Sequence, residues 1–501
     1  MWLDDIVGYF NPKSKVSRLR ARAAIKAWEE VNTRGYDAAS RRGTAKKLVT
    51  SNKSADSENS NAIDIIRARA RESIRNNPYS ARAVNAITTN VVGKGIVPVI
   101  TGPNEEVVNR LVQLWKEWVE TPNLDYDGYH NIYSMQAAVM QAVVSSGEVL
   151  IRRRVTRGGV LPFKIQLLES DHLVTTRTFT APNAAKDNDV VQGVELDGLD
   201  GKPVAYHLYE AHPGESNRIK NIENRLKILR LGAEDILHVF LQRRPGEHRG
   251  VSWLASVLTV LEELAAYERA LLVRQKVSAC YTAFVHDIEP PIDNSPKGEF
   301  DSEHIEPGMI DYLPPGKDIK FGNPPSPGTD YPAYKSTQLH AIAAGIGMSY
   351  EALTGDLSQV NFSSARMGWL EFQRNIDYWR GCLMNQMFNW RVSQWFLEAA
   401  ELAGANVAGV SFEWVSPRRE MIDPTKEIPA AIKAVRAGFS SLSGVIREQG
   451  KDPKAHFAQL QKDNEILDQL KLVLDTDPRQ ITASGQAQSV DPSETTQDSE
   501  E

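Results

Sequence analysis

Residues 287–332 hold 10 of the chain's 26 prolines and 5 of its 33 glycines. Proline fixes φ and supplies no backbone donor, so no helix runs through such a stretch, and an interior strand there loses its ladder bonds. The pattern on both sides is helical. Upstream, Leu254, Val257, Leu258, Leu261, Leu264, Ala265, Leu271 and Leu272 make the apolar stripe of a helix over 252–279, about 40 Å long at 1.5 Å per residue. Downstream, helical signals return over 334–344, turn at Gly345 and Gly347, and resume over 350–353. The proline-rich stretch therefore reads as an irregular or edge-strand module between two helical arms. The polar run Gly355-Asp356-Leu357-Ser358-Gln359-Val360-Asn361 follows. Ser363 or Ser364 can then cap a very long helix that reaches about Leu402 and stops at Gly404. It carries four of the ten tryptophans, Trp369, Trp379, Trp390 and Trp395. Aromatic residues around a helix imply burial on several sides, within the fold or against a neighbouring copy.

The N-terminal half begins with Trp2, Leu3, Ile6, Val7 and Phe10 at roughly helical spacing, too short to hold a helix alone. A basic stretch with Arg18, Arg20, Arg22 and Lys26 follows, and residues 40–60 read as a flexible loop. Arg67, Arg71 and Arg75 share one helical face beside Ile63, Ile66, Ala70 and Ile74. Asn77-Pro78 opens the next helix, which Gly93 stops. Further helices are expected over 105–121, with Trp115 and Trp118, and over 132–146, closed by Gly147. The period then changes. Leu150-Ile151 and the runs 164–168, 190–196, 204–209 and 236–241 are strand-like, with turn residues between them. Two or three short helices follow residue 405, and a polar, acidic tail expected to be disordered begins at about Ser484. The fold class is mixed α/β, mainly helical.

The net charge of −6 is unevenly spread: residues 1–82 hold 17 Lys+Arg against 9 Asp+Glu, and residues 463–501 hold 2 against 10. Both ends read first as solvated surface; the functional alternative for Arg67, Arg71 and Arg75 is contact with a polyanion. Cys280 and Cys382, the two cysteines, can build neither a disulfide framework nor a four-thiolate zinc site, and point to a reducing cytoplasm. No apolar run approaches 18 residues, and Asp4 and Asp5 interrupt the apolar start, so neither a membrane span nor a signal peptide is expected. In Val92-Gly93-Lys94-Gly95-Ile96-Val97-Pro98, a proline stands where a dinucleotide loop needs its third glycine. The sequence has no P-loop, no HExxH and no GxSxG. His172, His207, His212, His238 and His248 lack metal-ligand spacing and read as surface or hydrogen-bonded core histidines; Glu169 and Asp171 are adjacent acids of a kind expected by chance. No catalysis, no cofactor and no metal are expected.

Several segments resemble a known family through their order and spacing. They are Gly35-Tyr36-Asp37-Ala38-Ala39; Arg67-Ala68-Arg69 through Arg75-Asn76-Asn77-Pro78 to Val92-Gly93-Lys94-Gly95-Ile96; and Ser146-Gly147-Glu148-Val149-Leu150. His238-Val239-Phe240 with Arg244-Pro245-Gly246-Glu247-His248-Arg249-Gly250 comes next, then Leu353-Thr354-Gly355-Asp356 through Asn361-Phe362-Ser363-Ser364-Ala365-Arg366. Together they resemble the tailed-bacteriophage portal proteins of the lambda family. Glu247 stands where that pattern has Gln, and Phe362 where it has Tyr.

The resemblance implies a portal fold with wing, stem, clip and crown. By order along the chain it implies a basic arm (1–60), a wing (61–251), a first stem helix (252–286), a clip (287–332) and a second stem helix (333–354). A tunnel loop (355–363), a long helix (364–404), a crown-like helical region (405–483) and an acidic tail (484–501) complete the plan. It implies a ring of about twelve copies at one capsid vertex, around a channel for double-stranded DNA. Asp356, Leu357, Ser358, Gln359, Val360, Asn361, Phe362 and Ser363 would face the DNA. The implied partners are the terminase large subunit, major capsid and scaffolding proteins, and head-completion or connector proteins, with no membrane. The implied location is the virion, after assembly in the host cytoplasm. The alternatives are a metal-dependent DNA-processing enzyme, or another capsid structural or scaffolding protein.

Overall fold

The structure, a computed structural model, describes residues 16–17, 20–22, 51–175, 188–216, 227–280, 284–287, 317–320, 331–358, 362–421, 423–472, 474 and 479. The chain divides into two units, Met1–Ser57 and Glu58–Glu501. In the first, residues 16–17 and 20–22 are helical; the amphipathic element expected over 1–11 lies outside the described residues. The loop expected over 40–60 is described from residue 51 onward, and there it gives way to helix α1, Ala55–Asn59. Ser54 Oγ accepts the Ser57 N–H at 3.3 Å, an N-terminal cap that the loop reading overlooked.

The second unit opens with α2 (Ile63–Asn76) and α3 (Pro78–Val92). The Asn77 side chain accepts from the Tyr79 and Ser80 N–H groups, and Pro78 takes the first turn, where a missing donor does no harm. Strand β1 (Val97–Thr101) leads to α4 (Glu105–Val119), capped by Asn104, and α5 (Ile132–Ser146), whose Asn131 and Ser134 form a reciprocal capping box. Gly147 ends α5 at φ 94°.

Two antiparallel sheets follow. β2 (Glu148–Val155) lies between β3 (Phe163–Glu169) and β8 (Ile236–Phe240). The second sheet has the order β4 (Asp189–Val191), β5 (Val194–Leu196), β6 (Pro203–Tyr209) and β7 (Ile228–Gly232). The single run expected over 190–196 is thus a hairpin: Gln192 and Gly193 both take positive φ, 49° and 90°, and reverse the chain. Leu150, Leu173, Val194, Tyr206 and Leu208 form a small core beneath this sheet.

Helix α6 (Leu258–Cys280) begins six residues later than expected. Residues 252–257 form turns instead: Ser252 Oγ accepts the Leu254 N–H and donates to the Val144 carbonyl, which holds Trp253 and Leu254 in the core. At the edges of the proline-rich stretch, β9 (Phe284–Asp287) and β10 (Lys317–Lys320) pair antiparallel; residues 288–316 and 321–330 lie outside the described residues. Helix α7 (Tyr331–Ile346) tolerates Pro332 because it stands in the first turn.

The long helix is three consecutive pieces. α9 (Phe362–Trp379) and α10 (Trp390–Leu402) flank a π-helix, Arg380–Asn389; between α7 and α9 lies the short α8 (Tyr350–Thr354). The π segment is clamped at both ends. Arg380 donates to the Asn90 and Val91 carbonyls at 2.6 and 2.7 Å, and buried Asn389 accepts from Gln136 at 3.0 Å. Gln136 also exchanges two hydrogen bonds with the Ile96 backbone.

The boundary expected near residue 405 does not separate bodies. β11 (Ser411–Val415) pairs with β1 across Val97–Thr101 and carries Phe412 and Trp414 onto Trp115. Trp115, Trp118, Phe396, Phe412 and Trp414 meet mostly edge to face, at centroid distances of 5.0–6.2 Å. Three helices close the described chain: α11 (Pro424–Arg436), α12 (Leu442–Glu448) and α13 (Pro453–Leu470).

Candidate functional site

The loop between α8 and α9 is built from local hydrogen bonds. Gly355 ends α8 at φ 74°, a left-handed turn that a β-carbon would strain. Asp356 Oδ1 accepts the Ser358 N–H at 2.9 Å, and Thr354 Oγ1 accepts the Asp356 N–H at 3.1 Å. The Ser358 backbone bond holds the Asp356 carboxyl below its ordinary range, so the loop keeps a negative charge. Asp356, Leu357 and Ser358 are exposed, Leu357 at 67 %. Gln359, Val360 and Asn361 lie outside the described residues; Phe362 and Ser363 begin α9, with their side chains outside the description. Residues 355–363 contain no Lys or Arg, and Arg366, one turn into α9, is the next cation and is exposed.

The arginine face of α2 points elsewhere. Arg67 is 2 % exposed and faces Asp64, Glu148 and Asp171 at 3.3–3.4 Å. Arg71 meets Asp171 at 2.7 Å and Glu169 at 3.2 Å, and donates to Ser146 Oγ. Arg75 is exposed and pairs with Glu72 at 2.6 Å. Polyanion contact was the functional reading of this stripe, and burial removes Arg67 from it. An arginine with no water beside it must be neutralised inside the protein, and three carboxylates do so.

The centre of the network is Glu148, 1 % exposed at the start of β2. Arg249, fully buried, donates through Nε at 3.0 and 3.1 Å and through Nη2 at 2.6 Å. His238 Nε2–H donates to it at 2.9 Å and the Gly250 N–H at 2.8 Å. Burial alone would raise the Glu148 carboxyl; the Arg249 charge and the His238 hydrogen bond outweigh it and hold the group far below the carboxylate range. Burial pushes His238 down, and burial together with the Glu148 charge pushes Tyr206 up to about 12. A second buried carboxylate, Glu195, is bound in the same manner by His207 at 2.9 Å and Arg230 at 2.8 Å.

Sequence reading missed Glu148 and Arg249 as a pair. The available signal was an acid within an apolar strand, Gly147-Glu148-Val149-Leu150, which obliges the fold to supply a cation. The two motifs that contain them meet backbone to backbone. A β-carbon on Gly147 would lie 2.5 Å from the Gly250 carbonyl oxygen, and one on Gly250 2.2 Å from that of Gly147.

Glu169, Asp171 and His212 bring ligand atoms within 4.8 Å of one another. Their hydrogen bonding argues against a cation. His212 Nδ1 accepts the Gly214 N–H at 3.0 Å, so the neutral ring carries its proton on Nε2 and donates it to Glu169 at 3.1 Å. Arg67 and Arg71 occupy both oxygens of Asp171. This geometry fastens α2 to the sheet, and its two arginines already neutralise the acids that a cation would need.

Residues 41–380 match the family described as "Phage portal protein, lambda family". The chain is 26% identical over 423 residues to a probable portal protein of Halomonas phage phiHAP-1, covering 80% of each chain. It is 23% identical over 447 residues to portal protein B of Escherichia phage lambda, covering 78% of this chain and 82% of that one. It is also similar to a chain in the neck of a native gene transfer agent particle. That likeness has 16% identity and a TM-score of 0.47, over 77% of this chain and 94% of that one. The family match alone spans about two thirds of the 501 residues, and the chain belongs to the lambda family of phage portal proteins, structural components of the phage particle rather than enzymes.

Proposed function

We propose that the chain assembles into a closed ring of about twelve copies at one capsid vertex, around a channel through which double-stranded DNA enters and leaves. The family match over residues 41–380 carries this reading. In a cyclic ring every residue recurs around the axis at one level. Duplex DNA carries one charge per about 1.7 Å, so a cationic lining would hold the cargo it has to release. Residues 355–363, acidic at Asp356 and without a cation, suit the wall of such a channel. In this reading the outer faces of the ring receive the terminase and the connector proteins.

Gln359→Arg tests the placement. In a ring of about twelve it adds about twelve cations at one level, and each neutralised phosphate deepens the well that DNA must leave. Rings and heads should still form, since the neighbouring Asp356, Leu357 and Ser358 are exposed and a polar swap on a surface costs within about 0.5 kcal/mol. Packaging should slow or stall, most at low salt. Normal packaging at low salt would take the loop away from the DNA. Native mass spectrometry of the full chain tests the ring itself, and an intact monomer across micromolar concentrations would overturn it.

A further inference from the structure

Strand β2 carries three arginines in succession, and the alternation of a strand sends them to opposite faces of its sheet. Arg153 points to one face, where Asp235 and Glu398 meet it at 2.9 and 2.6 Å. Arg152 and Arg154 point to the other, beside Gln166 and Lys164, the residues directly opposite them on β3. On that same face Leu150, Leu168 and Ile236 pack into the small core beneath the second sheet. Beyond this core Arg152, Arg154, Lys164 and Gln166 are all partly exposed.

Here the fold supplies the cations with neutral partners or none. Arg154 donates to the Gln166 amide oxygen at 2.8 Å and lies 4.8 Å over the ring of Tyr126. Lys164 donates to the Asp125 carbonyl at 3.3 Å. Arg152 makes no hydrogen bond or ion pair among the described residues, and burial together with the charge of Arg154 pushes its guanidinium down. The acids whose charge reaches Arg152 are engaged elsewhere, Asp235 with Arg153 and Glu210 with Lys227 at 3.1 Å. Exposed Asp127 accepts from Gln166 at 3.4 Å.

Like charges directly opposite each other destabilise a strand pair, and Arg154 faces Lys164 in this way. A half-buried guanidinium without a partner adds to the cost. An anion bound on this face would relieve both. Its chemistry follows from what surrounds the cations. The positions at this end of the face are Arg152, Arg154, Lys164 and Gln166, with no aliphatic side chain among them. The core of a protein–protein interface is apolar and poor in lysine, whereas nucleic-acid interfaces are polar and positive. Guanidinium forks also match the oxygens of a phosphate.

We infer that Arg152, Arg154 and Lys164 form a phosphate-binding face for duplex DNA, on elements other than the loop 355–363. Such a face holds DNA, where a channel wall has to release it, and it does not depend on that loop lining the channel.

The test uses the full chain and a short fluorescent duplex of mixed sequence, with binding read by anisotropy from about 50 to 200 mM salt. Each of Arg152→Gln, Arg154→Gln and Lys164→Gln should flatten the slope of log affinity against log salt by about 0.9, and the threefold variant by nearly three times as much. At about 100 mM salt the threefold variant should bind about tenfold more weakly, or worse. Arg152→Lys keeps the charge and should keep the slope. Arg153→Gln removes the same charge from the opposite face and should leave the slope unchanged. Circular dichroism verifies that each variant is folded. Wild-type affinity and slope in the threefold variant would overturn the inference. So would an equal loss in Arg153→Gln and Arg152→Gln, since binding would then report net charge alone. Poly-glutamate that displaces the duplex at matched charge would assign the face to an acidic protein and overturn it too. A chain that forms rings by native mass spectrometry yet binds no duplex refutes this inference and leaves the ring reading standing.

Discussion

Replacing Glu148 by Gln keeps the shape of the side chain and removes one charge from the centre of the buried network. Arg249 then has no carboxylate: it keeps the Gln192 carbonyl at 2.8 Å and one neutral amide oxygen where it had two charged ones. Arg67 keeps Asp64 and Asp171 but loses its innermost partner. Leaving a buried cation unpaired costs about 3–5 kcal/mol. That is a large part of the roughly 5–15 kcal/mol that holds a typical domain together. Removing the exposed Arg75–Glu72 pair by Arg75→Ala should cost about 0.5 kcal/mol or less. Urea unfolding measures both, and an unchanged slope certifies that the midpoint shift is a change in stability. Combining Glu148→Met with Arg249→Met should recover much of the loss, since a buried pair can often be exchanged for apolar residues at little cost. A Glu148→Gln loss below about 1 kcal/mol would refute the reasoning. The pH dependence has a definite sign. Glu148 is held below its unfolded value, so its contribution is complete above the ordinary carboxylate range and fades as pH falls through the depressed value. His238 is held neutral by burial, so charging it below the ordinary histidine range also opposes folding. Stability should therefore be flat from neutrality up to the ordinary tyrosine range, above which buried Tyr206 opposes folding, and should decline on acidification, first with His238 and then with Glu148.

Gly147→Ala should destabilise by about 2–4 kcal/mol, because the new β-carbon meets the Gly250–Val251 backbone at 2.4–2.6 Å and the residue must hold φ 94°; thermal denaturation reads it. Phe396→Ala should cost about 3–5 kcal/mol by emptying the centre of the aromatic cluster, with a matching drop in the urea midpoint. Deleting residues 484–501 should leave soluble rings intact, because that segment has no periodic apolar face; size-exclusion chromatography with mass detection decides it.

Helices were the most legible elements, because their signals are local. Asn77-Pro78, Gly93 and Gly147 mark ends that lie within a residue or two of those observed. The β1–β11 pair was not legible. Its strands are five residues each and their partners stand far apart in sequence, so neither announces the other. The π segment was hidden for another reason: a wider turn shifts the helical phase, so a 3.6-residue pattern read through Arg380–Asn389 spreads the tryptophans around the helix. The structure resolves this into buried Trp379 and Trp395 and a half-exposed Trp390. The loop composition of the candidate channel was plain in the sequence. The arginine stripe was visible too, but its direction was not, because the acids that hold it come from residues 148–171, a different part of the chain.

The pairing of β1 with β11 also bears on the time at which the fold can be completed. Thr101 and Ser411 share a hydrogen bond across 310 residues of sequence. At bacterial rates of about 5–20 residues per second, roughly 15–60 s separate the synthesis of the two strands. For that interval Trp115 waits without Phe412 and Trp414, and one edge of the aromatic cluster faces solvent. The nascent chain must therefore pass through a long-lived, sticky intermediate, and the last strand acts as a gate on maturation. Copies cut short before residue 411 would be barred from closing their own core.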